Sequence, residues 1–295
     1  MDEPNSTKIK IQEIVKDLVQ LPSLPMMIAQ LMDKIKDPKS SVPEVAHIIE
    51  SDMAIASKLL RLANSAFYGI PNSISSINNA IVLLGFNVIR SLALSAVVVK
   101  LFPDQKQPPV FQREKFWKHA ICCGLAAKIL AKHIRKYKMV DSEEAFCAGL
   151  MHDIGKLVLE QFLHFEFDKA INESISTRTH LFEAEKKIIG VDHTEVSELL
   201  LKRWNFPLEL LVPITCHHAP EKASISIEMT YIVHMADIIC HGLGINVMDN
   251  EVAPPTSPRV MEILSLTEEK VEELGDQLND AVKEAQDIFK ILHST

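Results

Sequence analysis

Apolar positions recur along this chain at intervals of three and four residues, the period of an amphipathic helix, and strict two-residue alternation is nearly absent. The pattern predicts a first helix over 8–21 and a second from Met26, with apolar residues at 27, 28, 31, 32 and 35 and a stop at Asp37-Pro38. A third, with Pro43 in its first turn, runs to Ile49. Asp52 is placed to cap a fourth over 53–64. After a loop over 64–72 holding Gly69 and Pro71, helices over 76–84 and 87–101 are separated by Gly85. Pro103, Pro108 and Pro109 mark a linker, and a long helix over 111–137 follows.

Beyond it, the run from Glu143 to Lys156 reads as the first half of a buried helix that starts at Ser142, a possible cap, and helices over 162–175 and 181–189 follow. Asp192 and Glu195 have capping-box spacing, which puts His193 in the first turn of the next helix. A helix over 208–218 must bend at Pro213, and another spans 228–242. A proline-rich stretch over 249–258 precedes a charged amphipathic tail, a packing or dimerisation element. The fold expected is all-α: an N-terminal helical bundle (1–103) packed on a second helical half (110–248), then the tail (256–295).

Of the 295 residues 47% are apolar and 24% charged, enough for a substantial core. A net charge of -8 argues against general affinity for DNA. The basic run Lys128, Lys132, Arg135, Lys136 and Lys138 reads as a solvated helix end. No apolar run reaches the length of a membrane span, and the start lacks signal-peptide features. Five cysteines without a paired spacing imply reduced thiols, so a cytoplasmic location is expected.

The chemistry lies in the histidines, eleven of the twelve falling after residue 118. His47, His133, His164, His180, His241 and His293 are set aside as surface or satisfied groups. There remain His119, the His152-Asp153 pair, His193, the His217-His218 pair and Asp237, with His234 as a substitute for the last. His152, Asp153 and Lys156 put an imidazole, a carboxylate and an ammonium into an apolar run, and buried charge is costly unless a partner or a metal ion compensates it. Singly, each histidine is more often a satisfied core group than a ligand; jointly, imidazole with carboxylate and no cysteine pattern suits iron, manganese, zinc or nickel. The candidates exceed what one tetrahedral ion needs, so one or two ions are expected, iron first.

The order His, His-Asp-x-Gly-Lys, His, His-His, Asp resembles the HD superfamily of metal-dependent phosphohydrolases. The stretches Leu21-Pro22-Ser23-Leu24-Pro25, 48–64 with Asp52 and Leu59-Leu60, and 76–95 resemble the first half of an HDOD domain, an HD-related output domain. The resemblance implies one ion on His119, His152, Asp153 and Asp237, and a second on His193, His217 and His218 with Asp153 as the bridge. It gives Lys156 and Asp153 the catalytic positions, Lys156 contacting a substrate phosphate, and it implies a role in bacterial signal transduction. The double histidine is followed by Ala219-Pro220-Glu221-Lys222 and not by a Gly-Tyr-Pro signature, so cyclic-dinucleotide hydrolysis is not implied. Two functions stay open: a signalling output module with a structural or sensory metal site and protein partners, or a phosphohydrolase acting on a nucleotide or other phosphate ester. A third reading keeps His152 and Asp153 as a metal-free buried pair.

Overall fold

A computed structural model describes residues 25–37, 39–71, 73–102, 110–134, 140–285, 287 and 290–291. The helix expected over 8–21, the linker prolines, Arg135, Lys136, Lys138 and His293 lie outside them. The described residues are helical with no strand among them, as the apolar period predicts.

The first half contains α1 (Met26–Lys36), α2 (Val42–Glu50), α3 (Met53–Ala63), α4 (Ile77–Leu84) and α5 (Phe86–Leu101). Asp52 caps α3 as expected, accepting from the N–H groups of Ala54 and Ile55 at 3.0 and 3.1 Å. Helix α5 is buried nearly all round, from Ile89 to Val98, because it is wedged between α3 and the second half. Its polar residues are tied across that junction: Arg90 pairs with Glu144 at 3.0 Å, and Ser91 donates to the carbonyl of Glu143 at 3.1 Å.

The second half is built on α6 (Arg113–Ile134) and α7 (Ser142–Met151), which pack closely along their lengths. Small residues permit this: a Cβ on Gly149 would lie 2.6 Å from the carbonyl oxygen of Cys123. Asp141, one residue ahead of the expected start, caps α7. After α8 (Ile154–Phe162) come α9 (His164–Thr177), α10 (Leu181–Ile188), α11 (His193–Arg203), α12 (Leu208–Thr215) and α13 (Ile227–Gly242). The tail supplies the short α14 (Val260–Ile263) and α15 (Glu268–Glu284). Leu274 and Leu278 of α15 are buried on the side that meets α6, so that face is covered within the chain.

Two features differ from the sequence reading. The run 143–156 is not one helix: α7 ends at Met151, His152 and Asp153 form a turn, and α8 starts at Ile154. Gly149 O, the acceptor that a continuous helix offers to the N–H of Asp153, instead takes a hydrogen bond from His152 Nδ1 at 2.7 Å. Lys128 is not a solvated helix end either; it is buried, bonded to Glu143 at 2.6 Å, with Phe67 and Tyr68 beneath its ammonium.

Beside the site, Arg113 and Glu160 form a buried pair, with Arg113 Nε donating to Glu160 Oε2 at 3.0 Å. Removing one partner strands the other's charge away from water. Arg113→Ala is therefore expected to cost about 3–5 kcal/mol of unfolding free energy in denaturant titration. A loss below about 1 kcal/mol would show that water reaches Glu160.

Candidate metal centre

The break between α7 and α8 turns His152 and Asp153 inward together. His152 becomes the last residue of one helix and Asp153 the cap position of the next. Asp153 is 1% exposed and faces ligands on both sides. Its Oδ2 lies 3.2 Å from His152 Nε2 and 3.8 Å from His119 Nε2; its Oδ1 lies 3.2 Å from His193 Nε2 and 3.7 Å from His217 Nε2. His119 comes from α6, His193 from the first turn of α11, and His217-His218 from the turn after α12, which stops at Thr215. Asp237 comes from α13, with Oδ1 3.3 Å from His119 Nε2.

The packing that brings α8 to α11 is unusually close. A Cβ on Gly155 would stand 1.9 Å from the carbonyl oxygen of His193. Ser197 joins the two helices, accepting from the N–H of Gly155 at 2.9 Å and donating to His193 O at 2.8 Å. The capping box also forms, with Asp192 accepting from the N–H of Thr194 and Glu195, and Glu195 from that of Asp192.

Each imidazole is oriented through its other nitrogen. His119 Nδ1 donates to Ile245 O, His152 Nδ1 to Gly149 O, His217 Nδ1 to Ile214 O and His193 Nδ1 to Glu185 Oε2, all at 2.7 Å. A ring that donates from Nδ1 presents an unprotonated Nε2 when neutral, the form that binds a metal. His234 does not substitute for Asp237. Its Nδ1 donates to His217 O at 2.7 Å and its Nε2 accepts from the N–H of Ser257 at 2.9 Å, so it holds the backbone of the candidate ligand His217.

The residues fit a cation. Their ligand atoms fall into two groups, each within 4.8 Å across: His119, Cys123, His152 and Asp237 in one; Asp153, His193, His217 and His218 in the other. His152 Nε2, His217 Nε2, Asp153 Oδ1 and Asp237 Oδ1 are buried without a hydrogen-bond partner. Such orphaned acceptors cost free energy unless a cation satisfies them. Among the described residues, the buried carboxylates of Asp153, Asp237, Glu185 and Glu251 face this centre against one ammonium, that of Lys156.

Burial, then the neighbouring His152, push His217 down to about 3, which keeps it neutral at ordinary pH. Burial disfavours charge on His193 as well, but Glu185 and Asp153 outweigh it and hold that ring up to about 10. For Asp153, burial raises the carboxyl while His152 and Lys156 pull it well below its ordinary range.

Lys156 is 3% exposed, with its Nζ 2.7 Å from Asp153 Oδ2 and 3.7 Å from Glu251. Glu160, one turn on from Lys156, is paired with Arg113. Glu251 belongs to a loop after α13 that lies across the ligands: Ile245 O holds His119, and Glu251 accepts from the N–H of Val247 and Met248. On the outer side, His218 is half-buried and stacks on Phe182 at 4.7 Å between ring centroids, and Phe182 stacks on His180.

His241, set aside as a surface group, is a correction. Its side chain is 4% exposed and its Nε2 lies 3.3 Å from Asp237 Oδ1, because α13 turns that face inward. Cys123, Glu185 and Glu251 were also not among the sequence candidates. Cys123 is one helical turn from His119, with Sγ 3.4 Å from Nε2, a spacing that could have flagged it.

The HDOD domain family profile matches residues 21–220. An uncharacterized protein of Treponema pallidum (strain Nichols) is 25% identical over 215 residues, which is 68% of this chain and 39% of that relative's length. Among solved structures, an HDOD domain protein of unknown function from Geobacter sulfurreducens superposes with a TM-score of 0.79 at 22% identity, covering 98% of this chain and 99% of its own. A chain from Shewanella amazonensis SB2B, described as a candidate phosphohydrolase, gives 0.74 at 24% identity over 95% and 97%. One from Marinobacter aquaeolei VT8, described as a candidate signal transduction protein, gives 0.82 at 19% over 98% and 66%.

Proposed function

The chain belongs to the HDOD domain family, and on that premise we propose that it is a regulatory output module of signal transduction whose HD-type centre holds divalent transition metal as a structural or sensory element. The observation that carries this reading is the enclosure of the ligands. His119, His152, Asp153, His193, His217 and Asp237 are each at most 2% exposed, and the loop over 245–251 lies across them. A phosphohydrolase needs room beside its metal and donors that position the substrate. Lys156, the cation at the centre, faces Asp153 and Glu251. His119, His152 and Asp237 hold one ion and His193, His217 and His218 the other, Asp153 serving both, with iron preferred over manganese, zinc and nickel. The two helical halves act as one body through the α5–α7 junction, and the partners are signalling proteins.

A second reading rests on His218, which is partly buried where the other candidate ligands are fully buried. On this reading a phosphate ester, a nucleotide among them, would approach the second ion from the His218 side. Bound metal supplies Lewis-acid stabilisation of phosphoryl oxygens and a lowered pKa for water. Elemental analysis of the full chain, purified without added metal or chelator, is expected to show close to stoichiometric transition metal. The same protein is expected to give no turnover above its metal-free form on nucleotides and a generic phosphate ester. Robust metal-dependent turnover would overturn the regulatory reading in favour of the hydrolase. Metal that stays far below stoichiometry even after reconstitution would remove both.

A further inference from the structure

We infer that His241 is a ligand of the first ion, completing a set of three imidazoles around Asp237. The inference rests on the metal-centre reading above and adds a donor to it.

Three rings converge on one oxygen. Asp237 Oδ1 lies 3.3 Å from His119 Nε2, 3.3 Å from His241 Nε2 and 3.9 Å from His152 Nε2. That oxygen is buried, and no donor reaches it in hydrogen-bonding geometry. His241 is held as the other two are: its Nδ1 contacts Asn246 Oδ1 at 2.9 Å, while His119 and His152 are fixed through backbone carbonyls. An acceptor nitrogen facing a buried carboxylate is unfavourable unless a cation lies between them.

The local sequence builds this arrangement. Asp237 and His241 are one turn apart on α13, which places both side chains on the face turned to His119. After Gly242 the chain folds back, with Gly244 at φ 72°, the left-handed region that favours glycine. Adjacent residues of the returning strand of chain, Ile245 and Asn246, then fix His119 and His241 respectively. One dipeptide thus aims two rings at the same point. With Cys123 left to its contact with His119 Nε2 at 3.4 Å and Asp153 Oδ2 counted, the first ion has five protein donors, three nitrogens and two oxygens. Such a set favours iron, manganese, cobalt or nickel with expanded coordination over a tetrahedral structural zinc.

The test is cobalt(II) titration of the metal-stripped full chain, followed by visible and near-ultraviolet absorption, for wild type, His241→Asn and His241→Cys. Wild type is expected to bind cobalt with a weak visible band of more than four-coordinate geometry. His241→Asn is expected to lose at least about tenfold in affinity at one site while the other is unchanged, since even an outer-shell partner of a metal ligand is worth about 10–100-fold. His241→Cys is expected to regain affinity and to add a thiolate-to-cobalt charge-transfer band absent from wild type at equal loading. This second variant carries the test if the asparagine form folds poorly. If both variants keep wild-type affinity and no band is added, His241 holds a proton against Asp237 and the inference fails while the metal centre stands. If wild type itself binds no cobalt, the whole centre falls and the inference with it.

Discussion

Asp153→Asn is expected to leave the folded chain with neither ion. The two oxygens of Asp153 serve different groups: Oδ2 is 3.2 Å from His152 Nε2, and Oδ1 is 3.2 Å from His193 Nε2. An amide keeps the shape but loses the charge, and it offers one acceptor where two are needed. Both groups therefore weaken together. His193→Ala, by contrast, removes a donor from one group and is expected to spare the ion on the His119 side. The substitution at Asp153 also removes the charge facing Lys156 at 2.7 Å, and a hydrogen bond to a charged group contributes about 1.5–3 kcal/mol. Metal content by elemental analysis, set beside thermal melting of both variants, reads the two effects separately. Equal metal loss in the two variants would remove the bridge.

Gly155→Ala should be strongly destabilising, its added methyl meeting the closest obstacle found at any glycine whose surroundings are described. The added Cβ would sit 1.9 Å from the carbonyl of His193 and 2.8 Å from Ser197 Oγ. The first obstacle is backbone, which cannot rotate away as a flexible side chain would. Overpacking in a well-packed core costs about 1–3 kcal/mol and occasionally more, and a backbone clash belongs at the top of that range. At about 3 kcal/mol, melting is expected to fall by about 6–12 °C, taking about 2–4 °C per kcal/mol for chains of this size. Any relief by separation of α8 from α11 also carries His193 away from Asp153, so second-site metal should decline with stability. An unchanged melting temperature would mean that the helices do not approach as closely as described.

The helices were legible because their apolar period is local, as were the Asp52 cap and the Asp192–Glu195 capping box. The order of the candidate ligands could be read too, since His119, His152-Asp153, His193, His217-His218 and Asp237 each carry their signal in residue type and spacing, and the fold brings them together. What escaped was set by contacts far apart in sequence. His241 looks like a surface residue until the loop at Ile245 and Asn246 folds back on α13, although its position one turn after Asp237 was a readable hint. Glu185 belongs to α10 and reaches His193 only because α10 and α11 are joined by a tight turn through Gly190. The break at His152 depends on a side chain taking a backbone acceptor, a competition that apolar periodicity does not register. The pairing of Glu160 with Arg113 also joins residues far apart in the sequence.

The loop from Ile245 to Glu251 gives the centre a kinetic character as well as a thermodynamic one. Because it holds His119 through a backbone carbonyl and sets Glu251 toward Lys156, passage on the His119 side requires that this segment lift. On the proposed reading, exchange of the first ion would be gated by a local opening whose free energy lies below that of global unfolding. A metal acquired during synthesis would stay for many opening cycles, whatever ions later surround the protein. The content of the first site would record the metal supply at the time of folding, while the second, beside the partly buried His218, would follow the present one.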